Sequence, residues 1–99
     1  MITITLRGKA YPILFDLTAV EQIQKRYTNI ADVAEKLQHT AEMCWLLALV
    51  INEGQKLQAF EYGIPAHPIT SSDVATLLTM RDMNSPQLIA AITDAFNEC

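Results

Sequence analysis

Met43-Cys-Trp-Leu-Leu-Ala-Leu-Val-Ile51 is an unbroken apolar run with polar residues on both sides. A helix that is apolar on every face must be surrounded, by its own chain or by a partner. The rest of the chain is therefore read for what can wrap this run. Thr40 is placed to cap the helix, and Glu42 puts negative charge in its first turn. Beyond the run stands Gly54. It either ends the helix or lies inside it, at a cost of about 1 kcal/mol relative to alanine. Leu57 and Phe60 continue the stripe from Leu46 and Val50, and Gly63 offers a second stop. The pattern favours one helix to about Tyr62.

Upstream, Ile2 to Leu6 alternates Ile-Thr-Ile-Thr-Leu, the period of a strand with one buried face. Gly8 can supply the positive φ of a tight turn before Lys9 to Phe15. The two segments read as a β-hairpin. Pro12 lacks an N–H, so its strand is an edge there or carries a bulge. A lone two-stranded hairpin is marginal in water. Either helices of the same chain cover it, or the edge formed by Ile2, Ile4 and Leu6 pairs with another subunit.

Asp16 is a candidate N-cap for the next helix, with Phe15 and Val20 spaced as a hydrophobic staple. Thr18 and Glu21 offer a second possible start, as a capping box. Val20, Ile23 and Tyr27 recur at helical spacing, and Lys25 and Arg26 suit the C-terminal end. Asn29 is placed to cap a short helix whose apolar positions are Ile30, Val33, Ala34 and Leu37. Past the central helix, Gly63-Ile-Pro-Ala-His-Pro-Ile-Thr70 reads as a loop. Thr70 or Ser71 caps a short amphipathic piece running to Arg81 and ended by Asp82-Met-Asn. Ser85-Pro86 starts the last helix, with Leu88, Ile89, Ile92 and Phe96 on its apolar face. The expected fold class is α+β, mainly α-helical. An N-terminal β-hairpin (1–15) precedes about five helices (16–99) around the central apolar helix, in a single domain.

The 99 residues are 51% hydrophobic and 18% charged, which excludes a disordered chain. The net charge is −4. Arg7, Lys9, Lys25 and Arg26 outweigh Asp16 and Glu21, while the segment after Arg26 sets nine acids against Lys36, Lys56 and Arg81. No basic stripe is present to follow phosphates, so nucleic acid is disfavoured as a partner. The nine-residue run is too short to span a hydrocarbon core of about 30 Å, so no membrane is expected. Cys44 reads as a small buried hydrophobe and Cys99 as a free terminal thiol, which fits a reducing cytoplasm.

No nucleophile motif or glycine-rich phosphate loop occurs. His39 and Cys44 stand five residues apart on different helix faces, and an apolar surrounding raises a thiol pKa. His39, His67, Cys44 and Cys99 lie at no ligand spacing, so no metal and no cofactor are expected. Glu53 is the one carboxylate placed to be partly buried, in a structural role. Trp45 falls inside the core run. Phe60, Tyr62 and Ile64 gather where the long helix meets the proline loop, and form a candidate docking surface. The reading is of a binding protein rather than an enzyme.

Two segments resemble a known family. Phe15-Asp-Leu-Thr-Ala-Val-Glu-Gln-Ile-Gln-Lys-Arg-Tyr-Thr-Asn-Ile30, after an N-terminal hairpin, is similar to the opening of the small tail assembly chaperones of long-tailed bacteriophages and prophages. Trp45-Leu-Leu-Ala-Leu-Val-Ile-Asn-Glu-Gly54 resembles their central helix. The similarity covers roughly the first two thirds of the chain. Thr28 departs from it, where glycine is usual after the tyrosine. The resemblance implies a non-catalytic role in tail morphogenesis. Such a protein binds the tape measure protein, keeps its apolar helical stretches from aggregating and helps recruit tail-tube protein. It acts in the bacterial host cytoplasm and is absent from the mature virion. Homo-oligomers are expected. The competing readings are a small prophage regulatory or DNA-binding helical protein, which the acidic charge disfavours, and a structural tail component.

Overall fold

The computed structural model describes residues 1–29 and 31–98, without the side chains of Ala31 and Ala34. The expected apolar positions Ile30 and Ala34, and the terminal thiol of Cys99, lie outside what is described. The fold is α+β and mainly helical: an antiparallel two-stranded hairpin followed by helices. Strands β1 (Thr3–Leu6) and β2 (Lys9–Pro12) pair in the register Thr3↔Pro12, Ile4↔Tyr11, Thr5↔Ala10 and Leu6↔Lys9. Helices α1 (Leu17–Arg26), α2 (Ala31–Lys36), α3 (Thr40–Tyr62) and α4 (Ser71–Leu77) come next. A single helical turn, α5 (Met80–Met83), and the last helix, α6 (Pro86–Asn97), complete the described chain.

The hairpin turn is made by Arg7 and Gly8, both at positive φ (52° and 79°). Two such residues match the right-handed twist of the strands they join. The side chains of Ile4 and Leu6 are buried, and those of Thr3 and Thr5 are exposed, as the alternation requires. The Ile13 N–H donates to the Ile2 carbonyl at 2.9 Å, so the ladder continues one pair beyond the strands.

The central helix is one piece through Gly54 and stops at Gly63, whose φ of 70° ends it in the left-handed conformation. Of the nine residues in the apolar run, seven are buried; Trp45 and Leu49 are half-buried. The wrapper is the chain itself. The hairpin, α1 and α4 pack directly on α3, and Leu88, Ile92 and Ala95 of α6 join the same core. The hairpin edge at β2 is closed by α3: the Leu14 N–H donates to the Val50 carbonyl at 3.1 Å.

Helix α1 begins at Asp16, whose carboxylate accepts from the Ala19 N–H at 2.8 Å; the alternative start at Thr18 is not used. Thr70 rather than Ser71 caps α4, in a full capping box with Asp73.

Three local expectations are corrected. The N-cap of α3 is His39, not Thr40, because the His39 carbonyl takes the first helical bond, from the Met43 N–H. The segment after Thr70 does not run to Arg81. Leu78 is extended, and Thr79 opens a second capping box with Asp82, so one expected helix becomes two. On α6, Ile89 and Phe96 are exposed, and Ala95 takes a place in the core instead.

Candidate client surface

The three residues expected to form one docking surface do reach solvent. Phe60 is 89% exposed, Tyr62 71% and Ile64 48%. They do not form one patch. Phe60 and Tyr62 are two residues apart on α3, about 200° around its axis, and such positions do not face each other. Ile64 lines a separate cleft of about 320 Å³ between β2, Gln55 and Gln58 of α3, and the proline loop.

The proline loop is held by side-chain amides of α3. Asn52 Nδ2 donates to the Ile69 carbonyl and Asn52 Oδ1 accepts from the Ile69 N–H, both at 2.8 Å. Gln55 Oε1 accepts from the His67 N–H at 2.6 Å. Three backbone groups of a segment that two prolines bar from regular pairing thus find partners on α3. Glu53 lies beside these amides. It is buried in mid-helix, with Lys56 Nζ at 2.8 Å from its carboxylate.

A larger apolar surface lies elsewhere. Two adjoining hollows, of about 270 and 640 Å³, share Leu37, Ile92 and Thr93. The smaller sits between Phe15, Ile23, Val33 and Phe96. The larger is lined by Met43, Met80, Met83 and Ile89, with Gln38 and Asn84 among them as polar lining. Together they make a groove between α2 and the start of α3 on one side and α5 and α6 on the other. Met80 (66% exposed) and Ile89 (52%) stand in solvent along it. Phe96 sits at its far end, edge-on to Phe15 with ring centroids 5.4 Å apart. Methionine is flexible and polarisable, and suits surfaces that accept varied apolar partners. The sequence carried a signal for this groove. Leu88, Ile89, Ile92, Ala95 and Phe96 make a wider apolar face than one buried stripe needs, and two methionines stand just before it.

The core residue Trp45 is also a surface feature. Its indole is covered by the Arg26 guanidinium, 4.5 Å from the ring centroid, and meets Tyr27 edge-on at 6.0 Å. Arg26 Nε (2.8 Å) and the Tyr27 hydroxyl (2.6 Å) both donate to Glu42 Oε2. These two bonds, Tyr27 first, hold the Glu42 carboxyl below the ordinary carboxylate value. Burial, and then the bond to Glu42, raise Tyr27. The cluster ties the end of α1 to the start of α3.

Cys44 is buried among apolar side chains, and that burial pushes its thiol up. Among the described residues no group of three or more His, Cys, Asp or Glu side chains is placed to hold a metal ion. No described helix is long and apolar enough to cross a membrane. Ile2, Ile4 and Leu6 are divided: the last two side chains are buried in the core and Ile2 is half-buried. An edge contact there would have to use backbone rather than side chains. No protein-family model, curated protein or solved structure matches this chain.

Proposed function

We propose that this protein is a non-catalytic tail assembly chaperone that holds apolar helical segments of the tape measure protein during tail morphogenesis. The observation that carries the proposal is the methionine-lined groove, with Met80 and Ile89 left in solvent on a chain that has already filled its core. Large exposed apolar side chains gathered at a groove mark a contact surface. A helix is the fitting occupant, because its backbone is self-satisfied and it offers apolar side chains at successive turns. Phe60 and Ile64 supply further contacts at the other end of α3. The resemblance in Phe15–Ile30 and Trp45–Gly54 gives the client its name. The site of action is the host cytoplasm, before the virion is complete.

The test is an aggregation assay with a purified apolar segment of the tape measure protein. Added at equal concentration, this protein keeps the segment in solution, and a Met80→Ser/Ile89→Ser variant does so less well. Equal light scattering with and without the protein contradicts the proposal.

A further inference from the structure

The hairpin has two edges, and they are treated differently. In an antiparallel ladder, residues alternate between pairs that exchange hydrogen bonds and pairs that do not. The Ile13-to-Ile2 bond fixes the phase. With the observed register, Ile4 and Leu6 point their backbone groups at β2, and Thr3 and Thr5 point theirs away. The same phase turns the N–H-less nitrogen of Pro12 outward on β2, where proline costs no ladder bond. That edge is then covered by α3, which lies against the Pro12 carbonyl at Gly54.

The β1 edge is flanked by α6 and the turn before it, across a cleft, but no backbone bond from the described residues closes it. Among the described residues, Thr3 and Thr5 make no backbone hydrogen bond to any other part of the chain. Thr3-Ile-Thr-Leu6 is short, which itself limits edge pairing, but it carries no proline, lysine or bulge. That cleft, of about 210 Å³, is lined on the far side by Asp82, Ser85, Gln87, Leu88 and Ala91.

We infer that β1 pairs with β1 of a second copy of this chain, antiparallel and about a two-fold axis through Ile4. A second copy fits this edge because the edge is self-complementary. Under that axis Thr3 of one copy lies opposite Thr5 of the other, and the two exchange N–H and C=O bonds; the symmetric pair does the same. Four backbone bonds close a continuous four-stranded sheet, and the exposed threonines form cross-strand Thr–Thr pairs, which are favourable. A helical client cannot take this place, because its backbone has no free groups to offer.

Thr5→Pro tests the pairing. It removes an outward N–H without touching the bonds to β2, and edge strands accept proline at such positions. Light scattering and sedimentation of the full chain should show a dimer or an even-numbered oligomer. Thr5→Pro should retain the helical circular dichroism and melting midpoint but associate at least about tenfold more weakly, since two symmetry-related bonds are lost. A monomeric wild-type chain overturns the proposal, as does a folded Thr5→Pro variant that associates as the wild type does. If Thr5→Pro fails to fold, amide exchange on the wild-type chain decides. Thr3 and Thr5 amides protected increasingly with concentration support the pairing, and exchange at the open-chain rate at every concentration overturns it.

Discussion

Gly54 lies against the carbonyl of Pro12 so closely that a β-carbon on Gly54 would stand 2.8 Å from that oxygen and 2.9 Å from the carbonyl carbon. The central helix and the hairpin therefore meet backbone to backbone. This contact closes the β2 edge and lets the Leu14 N–H reach the Val50 carbonyl.

Gly54→Ala separates this contact from helix propensity. In an open helix the substitution would stabilise by about 1 kcal/mol. Here the obstacle is backbone at both atoms, which cannot swing aside as a side-chain end can. A net loss of about 1–3 kcal/mol is expected, as for other overpacked sites. Urea unfolding measures it, and a more stable alanine variant contradicts the close packing.

Two kinds of information in the chain were unequally legible. The hairpin, the Asp16 cap, the passage of α3 through Gly54 and the stop at Gly63 all follow from residues within a few positions of each other. The reason for Gly54 does not, because it depends on Pro12, forty-two residues away. The break at Leu78 was written in Thr79 and Asp82, a capping pair inside what reads as one amphipathic stripe. Trp45 reads as core because its neighbours are apolar; only the fold brings Arg26 over its ring. Of the candidate surface, the exposure of Phe60, Tyr62 and Ile64 was legible, and their division among different faces follows from helical spacing. The groove was only half legible, because its two walls come from segments roughly fifty residues apart and meet only in the fold.

Asn52→Ala should release the proline loop. The single amide satisfies both the N–H and the carbonyl of Ile69, next to Thr70, which caps α4. Loss of both bonds at a half-buried residue should cost about 1–2 kcal/mol. Amide exchange should quicken first at Ile69 and through the first turn of α4. Unchanged protection there would show that the loop is held by something else.

Acid should weaken the joint between α1 and α3. The Glu42 carboxyl is held below its ordinary value of 4.5 by Tyr27 and Arg26. A group whose folded pKa is depressed contributes stability above its unfolded pKa, and loses it as pH falls through the folded one. Wild type should therefore exceed Glu42→Gln at about pH 7, and the gap should narrow as pH falls below 4.5. The gap should be modest, under about 1 kcal/mol, because solvent screens a partly exposed pair. Chemical unfolding of both proteins across that range checks it. A constant gap at all pH values would mean that the carboxylate charge is not what joins the helices.

Co-expression with the tape measure protein is the sharpest test of the proposed chaperone role. The tape measure protein should stay soluble only with this chain present and co-purify with it, and the yield of complex should fall with Met80→Ser/Ile89→Ser. A tape measure protein equally soluble on its own, with no complex recovered, would rule that role out.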